Sequence, residues 1–316
     1  MRALTGPPGL IARAPARRDQ AAPGWQVWTA LAIVYVVWGS TYLAIRVLVK
    51  TMPPLLSGGA RFMLAGTILF VVLLVRGGRE SVRFTRAQAL SCLIVGSLLV
   101  TGGNGLVMVG EVDVPSGIAA LIIASVPMWV VIYRRVAGER VATGTLAGVA
   151  VGFVGLALLL LPSGGSSEVT SWVGLLLLFL AAPCWALGSF LSKRRELPPN
   201  PWLSTALQMF LGGVTSILGG LIHGEPNDVH FGAFSSDSLL AFAYLVVIGS
   251  LVAFSAYVWL LQHAPISKVA TYAYVNPVIA IFLGWAILSE QITVSIVAGA
   301  AIVVASVAAI VRKEST

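Results

Sequence analysis

Long apolar runs separated by short polar breaks govern this chain. Ten runs fall at approximately 26–48, 56–75, 87–109, 117–135, 144–161, 171–192, 202–222, 238–261, 267–288 and 292–311. About 20 apolar residues in helical form cross a hydrocarbon core of about 30 Å, so each run predicts a membrane-spanning helix. Connections are short, the longest being His223–Asp237, and none is large enough for a soluble domain. Within the pattern the stretch Pro277–Ser306 has an earlier echo at Pro127–Gly155. Both read as the later part of one helix, a polar break holding a glutamate, and much of the next helix. Glu139 and Glu290, and likewise Gly148 and Gly299, match at an offset of 151, and Pro127 and Pro277 at 150. A period near half the chain marks a duplication rather than a solenoid.

Composition sharpens the class. Of the 316 residues 58% are hydrophobic and only 10% charged, and the mean hydropathy is +0.93. A soluble domain carries about a quarter of its residues as charges, so this is an integral membrane protein. The net charge of +8 is therefore no sign of a nucleic-acid partner; basic residues in such a chain mark cytoplasmic loops. Residues 1–24 hold Arg2, Arg13, Arg17 and Arg18 among Pro, Gly and Ala, without the apolar core of a signal peptide. They read as a disordered basic cytoplasmic tail. With the N-terminus inside, every Lys and Arg except Arg46, Lys50 and Arg61 falls on the cytoplasmic side. Both termini are then cytoplasmic. Five helices per half is an odd number, so the second half enters from the opposite face and the halves are inverted repeats, over 26–161 and 171–311. Trp38 with Trp185, Gly39–Ser40 with Gly188–Ser189, Pro54 with Pro201, and Gly96–Ser97 with Gly249–Ser250 are further echoes. The expected fold is an all-α membrane protein of ten transmembrane helices in two inverted five-helix repeats. That is a transporter signature, because each half can adopt the other's conformation around one central site.

Candidate site residues follow from depth. Pro127 and Pro277 are helix-break or hinge candidates, since a proline frees a carbonyl that must find another partner in lipid. A kink fixed by packing is the plainer reading of either alone; their equivalence, and Asn276 beside one of them, favour a site. Tyr35, Trp38 and Tyr42 share a helical face, and Trp185 is the mate of Trp38. For these two tryptophans packing and ligand stacking stand level, whereas Trp25, Trp28, Trp172 and Trp202 at run ends form an interfacial belt. Thr41, Asn104, Ser125, Ser189, Gln208, Tyr257, Thr271, Tyr272 and Asn276 place amides and hydroxyls within the runs. Interhelical hydrogen bonding accounts for most of the hydroxyls, less easily for the amides. Spacing-four small residues (Gly148–Gly152, Gly212–Ser216–Gly220, Ser295–Gly299) favour internal packing and leave a homodimer face open. Glu139 and Glu290 are expected to support the N-termini of the helices that follow them. Arg46 and Arg61 could order a vestibule or attract a carboxylate, with snorkelling favoured.

Trp38-Gly-Ser-Thr-Tyr42, Gly59-Ala-Arg-Phe62, Gly103-Asn-Gly105, Val114-Pro-Ser-Gly-Ile-Ala-Ala120 and Tyr272-Ala-Tyr-Val-Asn-Pro277, in this order, resemble the EamA-type branch of the drug/metabolite transporter superfamily. Within it the chain is similar to the YedA-like inner-membrane proteins. The resemblance implies ten helices in two EamA repeats, a bacterial inner-membrane location and a central cavity lined mainly by helices 1, 3, 4, 6, 8 and 9. It implies export of small metabolites such as amino acids, and does not fix the solute.

The reading is a secondary transporter working by alternating access, its substrate held by Trp38, Thr41, Tyr42, Asn104, Ser125, Trp185, Ser189, Tyr257, Tyr272 and Asn276. The expected partners are a small-molecule substrate and the lipid bilayer, with no nucleic acid, cofactor or metal. Carriage of drugs or other metabolites is the near alternative; a channel or sensor is a lesser one. A polytopic enzyme acting on lipid-linked substrates is disfavoured. His223, His230 and His263 lie in loops and no Asp or Glu enters a run, so convergent catalytic groups are missing. Cys92 and Cys184 sit at different depths and read as buried thiols. With no carboxylate expected inside the membrane, the solute is expected to be neutral or zwitterionic and to move by facilitated exchange.

Overall fold

The computed structural model describes residues 23–160 and 171–314. The basic tail expected at 1–24 lies outside the described residues except for its last two positions. The helices are α1 Gly24–Leu48, α2 Pro54–Gly77, α3 Arg86–Gly110, α4 Ser116–Val136, α5 Thr143–Leu160, α6 Trp172–Ser192, α7 Pro201–His223, α8 Ser236–His263, α9 Tyr272–Leu288 and α10 Val294–Glu314. One turn, Ile266–Val269, precedes α9. Among the described residues there is no strand. Seven helices, α1–α4 and α6–α8, are long and apolar enough to cross a membrane. Helices α5, α9 and α10 contribute shorter apolar stretches, Thr143–Gly155, Val275–Leu288 and Ile296–Ala309.

Helix starts follow their local sequence. α3 opens with a reciprocal capping box between Thr85 and Gln88. Ser171, Asn200 and Ser235 accept from the first-turn amides of α6, α7 and α8. α2 and α7 carry proline at their first position, where the missing N–H costs nothing.

Two of the expected runs are interrupted. In α4 the turn Ala124–Ser125 separates Ser116–Ile123 from Val126–Val136. Pro127 cannot donate to the preceding turn, and Met128 N tightens onto Ser125 O at 2.9 Å. Before α9 the interruption is Ala270–Thr271, one helical turn earlier relative to Pro277. Pro115 and Pro265, offset by 150 like Pro127 and Pro277, immediately precede the two interrupted segments.

Packing respects the duplication. α2 lies along α7 and α5 along α10; α1 packs on α8 and α9, and α6 on α3 and α4. Exchanging helices 1–5 with 6–10 maps each of these pairings onto another of them or onto itself. Small residues permit the closest approaches: a Cβ on Gly212 would sit 2.5 Å from Gly96 O. Ser216 Oγ donates to Leu55 O at 3.0 Å, and Ser306 Oγ to Gly148 O. The stripes on α5 and α7 thus serve packing inside the bundle. Cys92 and Cys184 are free thiols, the first buried and the second half-buried. Trp25, Trp28, Trp172 and Trp202 are exposed near helix ends, with Lys268 Nζ 4.5 Å from the Trp28 ring centre.

Candidate functional site

The exchange-related tryptophans meet at the centre. Trp38 on α1 and Trp185 on α6 touch edge to face with ring centres 5.2 Å apart. Tyr257 of α8 lies 4.7 Å from Trp38 and 5.3 Å from Trp185, and Tyr272 of α9 lies 5.3 Å from Trp38. Beside this cluster is a cavity of about 50 Å³. Pockets that hold drug-sized ligands run to about 300 Å³ and above, so in this conformation the aromatic side chains nearly fill the space. α1 lines it with Trp38, Thr41, Tyr42 and Ile45, α2 with Arg61 and Phe62, and α3 with Gly103, Asn104 and Val107. α4, α6, α8 and α9 add Ile123, Ala181, Trp185, Gly249, Phe254 and Tyr272.

Six of the ten substrate candidates therefore stand on the wall: Trp38, Thr41, Tyr42, Asn104, Trp185 and Tyr272. The other four lie a layer behind. Tyr257 accepts from Trp185 Nε1 at 3.0 Å and pairs with Ser189 Oγ at 2.5 Å, locking the Trp185 ring. Ser189 also returns a bond to Trp185 O at 2.7 Å. Ser125 is spent on Ile122 O at 2.7 Å, within the α4 interruption. Asn276, with its amide oriented to satisfy its neighbours, donates to Tyr35 O at 3.1 Å and Tyr272 O at 3.2 Å. It ties α9 to α1, as does the bond between Tyr35 and Thr271 side chains. Pro277 lies inside α9 and Pro127 at the start of the second segment of α4; neither lines the cavity.

Sequence reasoning passed over the backbone form of α3 and α8. Ser97–Gly105 and Leu245–Phe254 are π-helical, and they carry Gly103, Asn104, Gly249 and Phe254 to the wall. Such wide turns occur mostly as single-turn bulges inside α-helices and are frequent at functional sites; these two run nine and ten residues. The Thr101-Gly-Gly-Asn-Gly105 run hints at the first; nothing in Leu-Val-Val-Ile-Gly-Ser-Leu-Val-Ala-Phe marks the second.

The charged residues depart furthest from expectation. Arg61 does not snorkel. It is about two turns into α2 and only 2% exposed. Its Nη2 donates to Asn104 Oδ1 at 2.9 Å and its guanidinium carbon lies 4.4 Å from the Phe62 ring centre, while Nε and Nη1 are buried without partners. Arg46 turns towards the α3–α4 link and donates to the carbonyls of Glu111 and Val112. Glu111, one residue past α3, is 0% exposed with both carboxyl oxygens unpartnered. Burial, then the negative charge of Glu290, hold it well above the usual carboxylate range, with Arg46 and Arg61 pulling it back. Glu111 lies just past the end of α3, as the sequence places it, but the link folds inward and buries it, which a count of positions against helix ends does not register.

Nor do Glu139 and Glu290 support the helices that follow them. Glu290 accepts from Ser116 N and Oγ, both at 2.9 Å, and from Gly117 N at 3.2 Å, capping α4 in the other half of the chain. Glu225 does the same for α2, accepting from Leu55 N at 2.9 Å and Leu56 N at 2.8 Å. The residues before these helices, Pro115 and Pro53, offer no side-chain oxygen. Glu139 is held instead by Arg134, at 2.6 Å, and Arg194. Burial raises its carboxyl, but the two arginines outweigh burial and keep it below the usual range. His223 and His263 close α7 and α8 rather than lying in loops, and the His263 ring stacks on Trp259 at 4.4 Å. Among the described residues no three His, Cys, Asp or Glu side chains gather as metal ligands would.

The model of the EamA-like transporter family matches residues 26–161 and again 172–312. The chain belongs to that family. It is a multi-pass membrane transporter and not an enzyme. It is 35% identical to the inner membrane transporter YedA of Escherichia coli (strain K12) over 265 residues, 84% of this chain and 83% of that protein. The transporter YvbV of Bacillus subtilis (strain 168) is 27% identical over 281 residues, 88% of each chain. A crystal structure 19% identical in sequence shares the fold, with a TM-score of 0.64 over 92% of this chain and 98% of the other.

Proposed function

We propose that this EamA-family transporter exports small amphipathic metabolites, amino acids first, by alternating access around the cavity beside Trp38 and Trp185. The observation that carries the reading is the central contact of these two exchange-related rings, with aromatic walls around them and Asn104 and Arg61 as the polar end. Ten spanning helices in two inverted repeats, 26–161 and 171–311, set in a bacterial inner membrane, would put both termini in the cytoplasm. The end of the bundle bearing Glu111, Glu225 and Glu290 then faces outward. Support comes from the basic bias of the opposite loops and from helix pairings that survive exchange of the halves. On this reading the wall residues Trp38, Thr41, Tyr42, Asn104, Trp185 and Tyr272 touch substrate. Ser125, Ser189, Tyr257 and Asn276 position them, and the interruptions near Pro127 and Pro277 are where α4 and α9 bend. The solute is small enough, or the walls mobile enough, for Trp38 and its neighbours to part around it.

The test is counterflow in proteoliposomes with a panel of labelled amino acids. Saturable exchange of at least one supports the carrier; efflux that never saturates would indicate a channel. No exchange of any would end the amino-acid reading.

A further inference from the structure

Arg61 is a charged feature of the cavity that packing leaves unexplained. A buried guanidinium is costly unless its donors are engaged, yet Nε and Nη1 have no partner. Asn104 takes one hydrogen of Nη2, at 2.9 Å. Whichever hydrogen that is, one edge of the planar group, Nε with Nη2 or Nη1 with Nη2, keeps both donors. Two parallel N–H groups on a rigid fork match the two oxygens of a carboxylate. The guanidinium carbon lies 4.4 Å over the Phe62 ring and Nη2 is tied to Asn104, so the fork is restrained before a ligand arrives. None of the described carboxylates bonds to it; Glu111, close enough to act electrostatically, has neither oxygen engaged.

We infer that Arg61 is the docking point for a carboxylate of the transported solute, with Asn104 as the residue that aims it. This rests on the transport reading above and deepens it: the solute carries a carboxylate at one end and an apolar or aromatic body that lies against Trp38, Trp185 and Phe254. A fork with an empty edge, in a site screened from water, discriminates sharply against analogues that cannot accept two hydrogen bonds.

The experiment uses the full-length protein in proteoliposomes. Counterflow is measured for phenylalanine, leucine and the other amino acids, each beside its α-carboxamide, its decarboxylated amine and its 2-hydroxy acid. Acids are expected to exchange about ten- to a hundredfold faster than their amides and amines, the difference of one charge-assisted pairing. The 2-hydroxy acids show whether a free amine is also required. Arg61→Lys keeps the charge and loses the fork. It should cut exchange of the acids tenfold or more and so narrow the preference for acids over amides. Asn104→Ala, a milder variant should Arg61→Lys fail to fold, should raise the half-saturating concentration of the acids several-fold. Amides and amines exchanging as fast as the acids in the wild type would overturn the docking role while leaving the transporter intact. No exchange of any compound would overturn both.

Discussion

Replacing Glu290 by alanine removes a carboxylate that three donors at the start of α4 share, Ser116 N, Ser116 Oγ and Gly117 N. Loss of a side-chain cap costs about 0.5–2 kcal/mol, and loss of a negative charge at a helix N-terminus about 0.3–1 kcal/mol more. Pro115 has no oxygen to substitute, so we expect about 2 kcal/mol in total. Glu290→Gln keeps an acceptor and should lose only about the charge contribution. If the cap exists in one conformation of the transporter and not in the other, about 2 kcal/mol corresponds to roughly a thirtyfold change in their populations.

Thermal unfolding in detergent reads the stability, and electron–electron distance measurements between spin labels at Val112 and Ile292, both exposed near this end, read the population. The alanine variant should unfold at lower temperature and lengthen the distance distribution, with glutamine intermediate. Gly284→Ala supplies an independent route. A Cβ there would lie 2.3 Å from Glu290 Oε2 and 2.9 Å from Ser116 Oγ, so it should displace the carboxylate and reproduce the alanine phenotype. Unchanged unfolding and unchanged distances in Glu290→Ala would refute the capping argument. Lower stability with unchanged distances would confine Glu290 to holding the fold.

Three other outcomes follow from single residues. Glu111 faces Tyr42 and Arg46 from α1, Arg61 from α2 and Glu290 from the α9–α10 link. Its carboxyl keeps a proton to higher pH in the folded protein than in the unfolded chain, so its contribution to stability falls as pH rises through and above the usual carboxylate range. Glu111→Gln cannot ionise, and its unfolding temperature should gain on the wild type as pH rises; parallel curves would show that Glu111 is not perturbed. Ser289 ends α9 in the left-handed region at φ 56°, a conformation that costs a non-glycine residue about 1 kcal/mol. Ser289→Gly should therefore raise the unfolding temperature by a few degrees, and a fall would disprove strain there. Gly232, in the α7–α8 link, has open space where a side chain would project. Gly232→Cys should react with an impermeant thiol reagent from outside intact cells, and reaction only after lysis would reverse the proposed orientation.

Much of the fold was legible because lipid permits so few backbone solutions. Helix limits read from apolar runs agree with the structure to within about two or three residues for most helices, since charge and turn residues must sit at the ends. The paired tryptophans were legible too, through the offset that relates the halves. What escaped reading was lateral. Asn276 and Asn104 are both amides in apolar runs, yet one is buried and consumed by the Tyr35 and Tyr272 carbonyls and the other, half-buried, faces the cavity with Arg61. Depth is set by position along a helix, whereas facing is set by which neighbour arrives, and π-helical segments in α3 and α8 rotate the register further. Arg61 shows the same limit: a charge inside a run was visible, but not that its face turns inward.

The departures from symmetry bear most directly on mechanism. Glu139 and Glu290 occupy matched places, and exchange of the halves carries the start of α4 after Pro115 onto the turn Ile266–Val269 after Pro265. Glu290 caps its helix across the halves, whereas Glu139 is committed to Arg134 and Arg194. Two identical clasps closed together would hold both ends of the bundle at once and leave the solute no exit. A carrier needs the same pair of groups to hold one end at a time. On the alternating-access reading the second conformation is this one with its halves exchanged. Glu139 would leave its arginines for the amides after Pro265, and Glu290 would leave Ser116 and Gly117. Because Arg134 and Arg194 already favour the ionised form of Glu139, the move trades one set of charge-assisted bonds for another. Glu139 then holds the end that follows Pro265 while Glu290 releases α4, so that one clasp replaces the other.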